Sequence, residues 1–422
     1  MVSQNDLLKW KKKRASTYVV FLFVYFLIGM EMGCINATLW IYVSTLLKTD
    51  NDGLYYGLIS TAFFVPSLFF PPIVTRIVDK TRRVKLCLIC IMFLSISGSI
   101  LYPIHVSPLF PLVGRFLSGF SIAAGPLMIS EVARSYASKE LMQRIPLLNG
   151  IMMFGYAFGP CVSVLFLNAN LWIGQIHITY ANVIGPFLLI VTVVLLIAII
   201  FFSHDLSREY DMKLDTTETN EYNRTETIFD TIKRMFCAPD SLLIIIISVF
   251  FGIADQLIFR VLPLLIIQKL NFSYAFLNVV LVGLSLLNTV LIIVLVYRKM
   301  SDQQIYYIGV LSVVSIMITS LLQLLIYHKV GNVFVWYIWI ILTAITSVVF
   351  LLSDHAFSVV VTAKLSFSCN QGFMEGVRTL SLQSGRIIGG VMIGAYYEYM
   401  NVFYDYLVKL FTANKMLVST FC

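Results

Sequence analysis

Runs of twenty or more mostly apolar residues recur along this chain. A run of that length has few fates other than a membrane-spanning helix, because about 20 residues rising 1.5 Å each cross the hydrocarbon core of a bilayer. Six such segments lie at about Thr17 to Leu47, Leu54 to Val74, Val84 to Ile104, Leu109 to Ala133, Ile145 to Leu167 and Ala181 to Phe202. Five more follow at about Ser241 to Ile267, Ser273 to Val296, Ile305 to Tyr327, Val333 to Val361 and Gly372 to Tyr397. The last stretch, Asn401 to Cys422, is apolar in parts but carries Asp405, Lys409 and Lys415, and makes a weak twelfth. With 59% hydrophobic residues, 12% charged residues and a mean hydropathy of +0.87, the 422 residues hold more apolar surface than one water-soluble core can hide. No polar stretch is long enough to fold alone. The sequence therefore predicts an all-α polytopic membrane protein and excludes a soluble enzyme on a single anchor.

The placement of basic residues sets the topology. Lys9, Lys11, Lys12, Lys13 and Arg14 precede the first segment, and Arg76, Lys80, Arg82, Arg83 and Lys85 stand between the second and third. With the N terminus in the cytosol, twenty-one Lys and Arg fall in cytosolic stretches and only Lys48, Lys269 and Lys329 fall outside, the positive-inside pattern. The net charge of +8 thus belongs to topology and anionic lipid headgroups, and no nucleic acid partner is expected. The organisation that follows is a cytosolic basic segment at residues 1–16, a six-helix half at 17–203, a charged cytosolic linker at 204–240 and a second half at 241–422 with five clear spans and a weak sixth. Cys87 and Cys90 form a C-x-x-C inside an apolar run with no second ligand pair, so no metal or cofactor is expected. The absence of H-E-x-x-H, G-x-S-x-G and P-loop patterns gives no reason to expect an enzyme.

Four arginines, Arg115, Arg260, Arg378 and Arg386, remain inside predicted spans. A charge in a bilayer costs several kcal/mol unless it meets a partner or a water-filled cavity. The two halves also echo each other. Glu31 and Asp255 each lie fourteen residues into the first segment of their half, offset by 224, and Glu131 and Asp354 near the ends of the fourth and tenth are offset by 223. Gly155 and Gly159 in the fifth segment are matched by Gly385 and Gly389 in the eleventh. Three coincidences in matching segments point to an internal repeat.

These residues resemble the major facilitator superfamily. Asp79-Lys80-Thr81-Arg82-Arg83-Val84-Lys85 is similar to the family's acidic-then-basic loop signature, with Thr75 and Arg82 where the signature has glycines. Arg115 with Gly119 and Ala123 resembles its fourth-span pattern, and Gly155-Tyr-Ala-Phe-Gly159-Pro160 its glycine-proline motif in the fifth. Asn36-Ala-Thr-Leu-Trp40-Ile-Tyr42, together with Asn370-Gln-Gly372 through Arg386-Ile-Ile-Gly389, is similar to the branch containing the lysosomal major facilitator superfamily domain-containing protein 8 and its SPX-related members. The resemblance implies two six-helix halves related by a pseudo-twofold axis, with the last helix atypical. It also implies transport of a small molecule or ion across an endolysosomal membrane, with the plasma membrane as second choice.

On this reading the substrate and coupling cavity holds Glu31, Asn36, Arg115, Asp255, Arg260 and Arg386. Glu31 is expected to approach Arg115, and Asp255 to approach Arg386, while a carboxylate whose charge depends on an arginine suits proton coupling. The arginine excess among these residues hints at an organic or inorganic anion as solute. Glu375 and Arg378, at i and i+3, are expected to satisfy each other as a static pair. Asp79, Lys80, Arg83, Glu131 and Arg134 form a cytosolic gate motif. Gly155, Gly159, Pro160, Gly385 and Gly389 serve close helix packing, whether static or sliding. The expected protein is a monomeric secondary transporter working by alternating access on a small solute and protons among membrane lipids. An anion channel of the same fold and a transport-dead scaffold or receptor are the alternatives.

Overall fold

The computed structural model describes residues 4–47, 52–136, 138–174, 176–206 and 273–297, together with 242, 245–253, 255–256, 307, 314, 338, 341, 373 and 375–391. Arg260, Asp354, most of the linker, most of the ninth and tenth segments and the weak twelfth lie outside the described residues.

Among the described residues, six helical stretches are long and apolar enough to cross a bilayer: Asp6–Leu47, Asp52–Thr81, Val84–Leu101, Leu109–Ser135, Gln143–Leu165 and Ile184–Phe202. They correspond one for one to the first six predicted segments. The first comprises α1 (Gln4–Ile41) and a π-helical turn at Tyr42–Leu47. The second is broken into α2 (Asp52–Ala62) and α3 (Phe70–Thr81), with a short 3-10 turn at Pro66–Leu68 between them. Proline explains the break: Pro66, Pro71 and Pro72 cannot donate into a continuing helix but suit the first turn of a new one. The third span is α4 (Val84–Leu101). The fourth is broken likewise, with α5 (Leu109–Ser118) joined to α6 (Ala124–Ser135) by a 3-10 turn at Gly119–Ala123. The two breaks meet, since a methyl on Gly119 would overlap the carbonyl oxygen of Phe63.

The fifth span is α7 (Ser138–Leu165) and the sixth α8 (Ile184–Phe202). Between them lies a feature the sequence did not announce, a hairpin of β1 (Asn170–Ile173) and β2 (Ile176–Thr179). Its Trp172 and His177 rings stack 4.3 Å apart, and Asn182 Nδ2 ties it down by donating to the carbonyls of Pro103 and His177. After the linker, α9 is helical at 245–253 and 255–256, α10 spans Tyr274–Tyr297, and α11 covers 375–391.

Glycines set the helix crossings. Along α1 and α7, a methyl on Gly155 would overlap the Phe26 carbonyl and stand 3.0 Å from the Met30 nitrogen, and one on Gly159 would stand 2.7 Å from the Met30 oxygen. Gly29 and Gly33 of α1 face α7 as closely, with Pro160 Cδ 3.2 Å from the methyl position of Gly33. The same seam recurs between α9 and α11, where Gly252 meets Leu382 and Arg386, and Gly385 and Gly389 meet Val249 and Ile253. Matching contacts give the register of the repeat: α1 maps onto α9 by adding 223 (Phe26 to Val249, Gly29 to Gly252), and α7 onto α11 by adding 230 (Met152 to Leu382, Gly155 to Gly385).

The halves touch where α7 packs on α10 and where α3 packs on α11. At the latter seam a methyl on Gly376 would stand 2.9 Å from Thr75 Oγ1 and 3.0 Å from Pro72 Cα. Thr75 occupies a signature glycine position, and Gly376 on the opposite helix supplies the missing room. The second missing glycine leaves a mark too, because Arg82 adopts the left-handed conformation at φ 55° as C-cap of α3. At the end where α1 begins, Tyr136 lies between two guanidinium groups, Arg14 at 4.3 Å and Arg144 at 5.1 Å from its ring centre. Burial pushes the Tyr136 phenol up, against the pull of Arg144 and Arg14.

Candidate transport cavity

A cavity of about 100 Å³ lies where the helices of the two halves face each other. On a scale where one water occupies roughly 10–15 Å³, it holds several. From α1 it is lined by Tyr25, Ile28, Gly29, Met32 and Asn36. Steps of 100° per residue put these five within one arc of about 100°, with Glu31 about 110° from its middle. From α7 come Asn149, Met152, Met153 and Tyr156, and from the C-terminal half Asp255, Gln256, Glu375, Arg378, Thr379, Leu382, Gln383 and Arg386.

The expected pairing of Asp255 with Arg386 is present, with Nε donating to Oδ2 at 2.8 Å. Gln256 Nε2 stands 3.4 Å from the same oxygen, and Arg386 Nη1 stands 3.4 Å from Gln383 Oε1. On the facing wall Asn36 Nδ2 donates to the Tyr156 hydroxyl, and Tyr156 is the counterpart of Arg386 under the offset of 230. Glu375 and Arg378 pair as expected, through three hydrogen bonds of 2.6 to 3.1 Å. Their place differs from the expectation of a static pair outside the site, since both border the cavity.

Glu31 and Arg115 also pair, Nη1 donating to Oε1 at 2.7 Å, with Ser118 Oγ at 3.3 Å from the same nitrogen. They do not line the central cavity. They border a separate void of about 10 Å³ enclosed by α1, α4, α5 and α8, shared with Ser99, Tyr102 and Gly185. The reason is register. The offset of 224 that links Glu31 to Asp255 in the sequence is one residue more than the structural offset, so Met32 is the true counterpart of Asp255. One residue turns a helix by 100° and moves Glu31 off the cavity face.

The charge census changes with it. With Glu31 and Arg115 paired elsewhere and Glu375 and Arg378 added, the described cavity wall carries two carboxylates and two guanidinium groups. The arginine excess read from the sequence does not hold for that wall.

The two arginine pairs flank one dipeptide. Arg115 lies over the ring of Phe63 at 3.9 Å, Arg386 over the ring of Phe64 at 5.6 Å, and the two rings meet edge to face at 5.4 Å. Both phenylalanines are fully buried at the break of the second span.

At the end of the bundle where α1 begins, Asp79 forms an ion pair with Arg134, and its Oδ2 accepts from the backbone nitrogen of Phe373 at 3.2 Å. One carboxylate thereby ties α3 to α6 and to the start of the eleventh span. Glu131 is buried one turn before Arg134, while Lys80 and Arg83 are exposed.

Helices of two repeated halves facing each other across a polar cavity, with charged residues buried at mid-helix, fit the architecture of a secondary transporter. A sequence profile of the Major Facilitator Superfamily matches residues 21–390, and the chain belongs to that superfamily. Among curated proteins, the tetracycline resistance protein, class H, of Pasteurella multocida is 20% identical over 211 residues, about half of this chain and half of that protein. Solved structures share the fold at low identity. The human organic anion transporter MFSD10 (TETRAN) has a TM-score of 0.63 at 13% identity, covering 91% of this chain and 94% of its own. The proton:xylose symporter XylE has 0.66 at 9%, covering 93% and 90%. The nucleoside transporter NupG has 0.63 at 15%, covering 90% and 91%.

Proposed function

We propose that this chain is a proton-coupled secondary transporter that moves a small charged solute across an endolysosomal membrane by alternating access, with its N terminus in the cytosol. The observation that carries the reading is the cavity itself: it lies at the boundary of the two halves, both contribute to its wall, and its polar centre is the Asp255–Arg386 pair. A solute held there touches both halves at once, so rocking them about it exposes the same site to either side.

Proton coupling is assigned to Glu31. Arg115 Nη1 sits within reach of both Glu31 and Ser118, so protonation of the carboxylate leaves the guanidinium a second acceptor. The adjoining void is the size of one water, which could stand beside the pair as a proton donor or acceptor. Asp79, held by Arg134 and by the backbone of the eleventh span, is read as a latch on the cytosolic side. The endolysosomal assignment and the branch nearest the lysosomal domain-containing protein 8 rest on the motifs around Asn36 and Asn370. The proton symport and anion transport named for two structures of the same fold are consistent with this reading.

Reconstitution in proteoliposomes tests it. Solute flux through the wild type should rise with an imposed pH gradient, and Glu31→Gln, if still folded by thermal unfolding, should carry flux that ignores the gradient. A full pH response in Glu31→Gln would remove the coupling assignment. Unitary currents far above transporter turnover would replace the transporter with a channel.

A further inference from the structure

Buried polar groups in folded proteins are almost always paired. The central cavity departs from this rule at Gln256 Oε1, which is buried without a partner, and unused groups of both kinds face the cavity beside it. On the donor side, Arg386 gives its Nε to Asp255, while Nη1 has only the 3.4 Å contact to Gln383 and Nη2 has no partner among the described residues. The Nη1/Nη2 edge of a guanidinium is one of the edges that can grip a carboxylate with two parallel bonds. On the acceptor side, Asp255 uses Oδ2 for both Arg386 and Gln256, and Oδ1 has no partner among the described residues. Gln256 is only 2% exposed, lines the cavity, and its Oε1 is likewise unpartnered.

The free donors and free acceptors sit at one station, because Asp255 and Gln256 are neighbours in the chain and Asp255 holds Arg386. A simple anion there would satisfy Arg386 but leave the oxygens of Asp255 and Gln256 facing its charge. A simple cation would satisfy those oxygens and repel Arg386. Glu375 offers no counterweight, since Arg378 already takes both of its oxygens. The adjoining wall is apolar and adaptable, with Met32, Met152, Met153 and Leu382. Resting on the reading of this cavity as the transport site, we propose that its solute is a zwitterion of the amino-carboxylate type. Its carboxylate lies on the free edge of Arg386, its ammonium between Asp255 Oδ1 and Gln256 Oε1, and an apolar substituent lies against the methionines.

Binding of three near-isosteres to the full chain in lipid nanodiscs tests the proposal: leucine, isocaproate, which lacks the ammonium, and isoamylamine, which lacks the carboxylate. A site built to hydrogen-bond a group rejects the analogue without it strongly. Leucine should therefore bind at least about tenfold tighter than either. Arg386→Gln should bring leucine down to the level of isoamylamine, and Asp255→Asn should bring leucine and isocaproate together. Isocaproate or isoamylamine equal to leucine, or no binding of any of the three, would overturn the zwitterion. The cavity reading is scored separately by labelling Thr379→Cys with an impermeant thiol reagent from each side, against the unsubstituted chain. Labelling from both sides supports alternating access whatever the solute result, and labelling from one side alone under all conditions removes it.

Discussion

Gly155→Ala should destabilise this protein, although alanine is the better helix former. The added methyl overlaps the carbonyl oxygen of Phe26 and stands 3.0 Å from the nitrogen of Met30, and both are backbone atoms of α1 that no rotamer change can move. Relief requires α1 and α7 to part by about 1 Å, a gap that forfeits roughly half of the dispersion energy at a seam. Overpacking of this kind costs about 1–3 kcal/mol, against a gain of up to about 1 kcal/mol from helix propensity. With the full propensity gain subtracted, the net loss is up to about 2 kcal/mol, or a fall of up to roughly 8 °C in Tm for a cooperative unit of 150–250 residues. Gly385→Ala should behave alike, because its methyl overlaps the Val249 carbonyl at the equivalent crossing. Gly283→Ala is the control: its methyl meets nothing among the described residues, so the propensity gain should stand alone and Tm should hold or rise. Thermal unfolding of the three variants in one detergent decides the matter. If Gly155→Ala and Gly283→Ala shift Tm by the same amount in the same direction, the close crossing of α1 and α7 is wrong.

Arg115→Met should cost about 3–5 kcal/mol by stranding Glu31, whereas the Glu31→Gln/Arg115→Met double variant should recover most of that stability; equal loss in single and double variants would show that the pair does not couple. A disulfide between Thr75→Cys and Gly376→Cys, whose side-chain positions nearly touch across the halves, should stop flux and release it on reduction; flux through the cross-linked form would remove α3–α11 as a moving seam. Arg82→Gly should raise stability by about 1 kcal/mol, since only glycine takes the left-handed conformation there without strain, and an unchanged or lower Tm would refute the strain.

The partnerships were the most legible part of the site, and for one physical reason. A charge at mid-helix in a bilayer must find its opposite, so a short list of intramembrane charges already contained Glu31–Arg115, Asp255–Arg386 and Glu375–Arg378. The spans were legible because bilayer thickness fixes their length, which is also why the breaks inside the second and fourth spans went unread. Hydropathy averages over a turn and does not register Pro66 or Gly119 as interruptions. Orientation about each helix axis was the weakest reading. An error of one residue in aligning the repeat is invisible in a hydropathy profile, yet it moved Glu31 from the cavity wall to the interior of the N-terminal half. Asn149 carried no signal as a neutral amide, and its place on the cavity wall and its unpaired Nδ2 in the folded chain mark it.

Phe63 and Phe64 sit where the second span loses its helical hydrogen bonds, and each ring rests against a different arginine. Both rings are fully buried and meet edge to face at 5.4 Å, so a movement that lifts one from its guanidinium presses on the other. The charged pair inside one half and the charged pair at the cavity are thereby joined through two packed rings of one dipeptide.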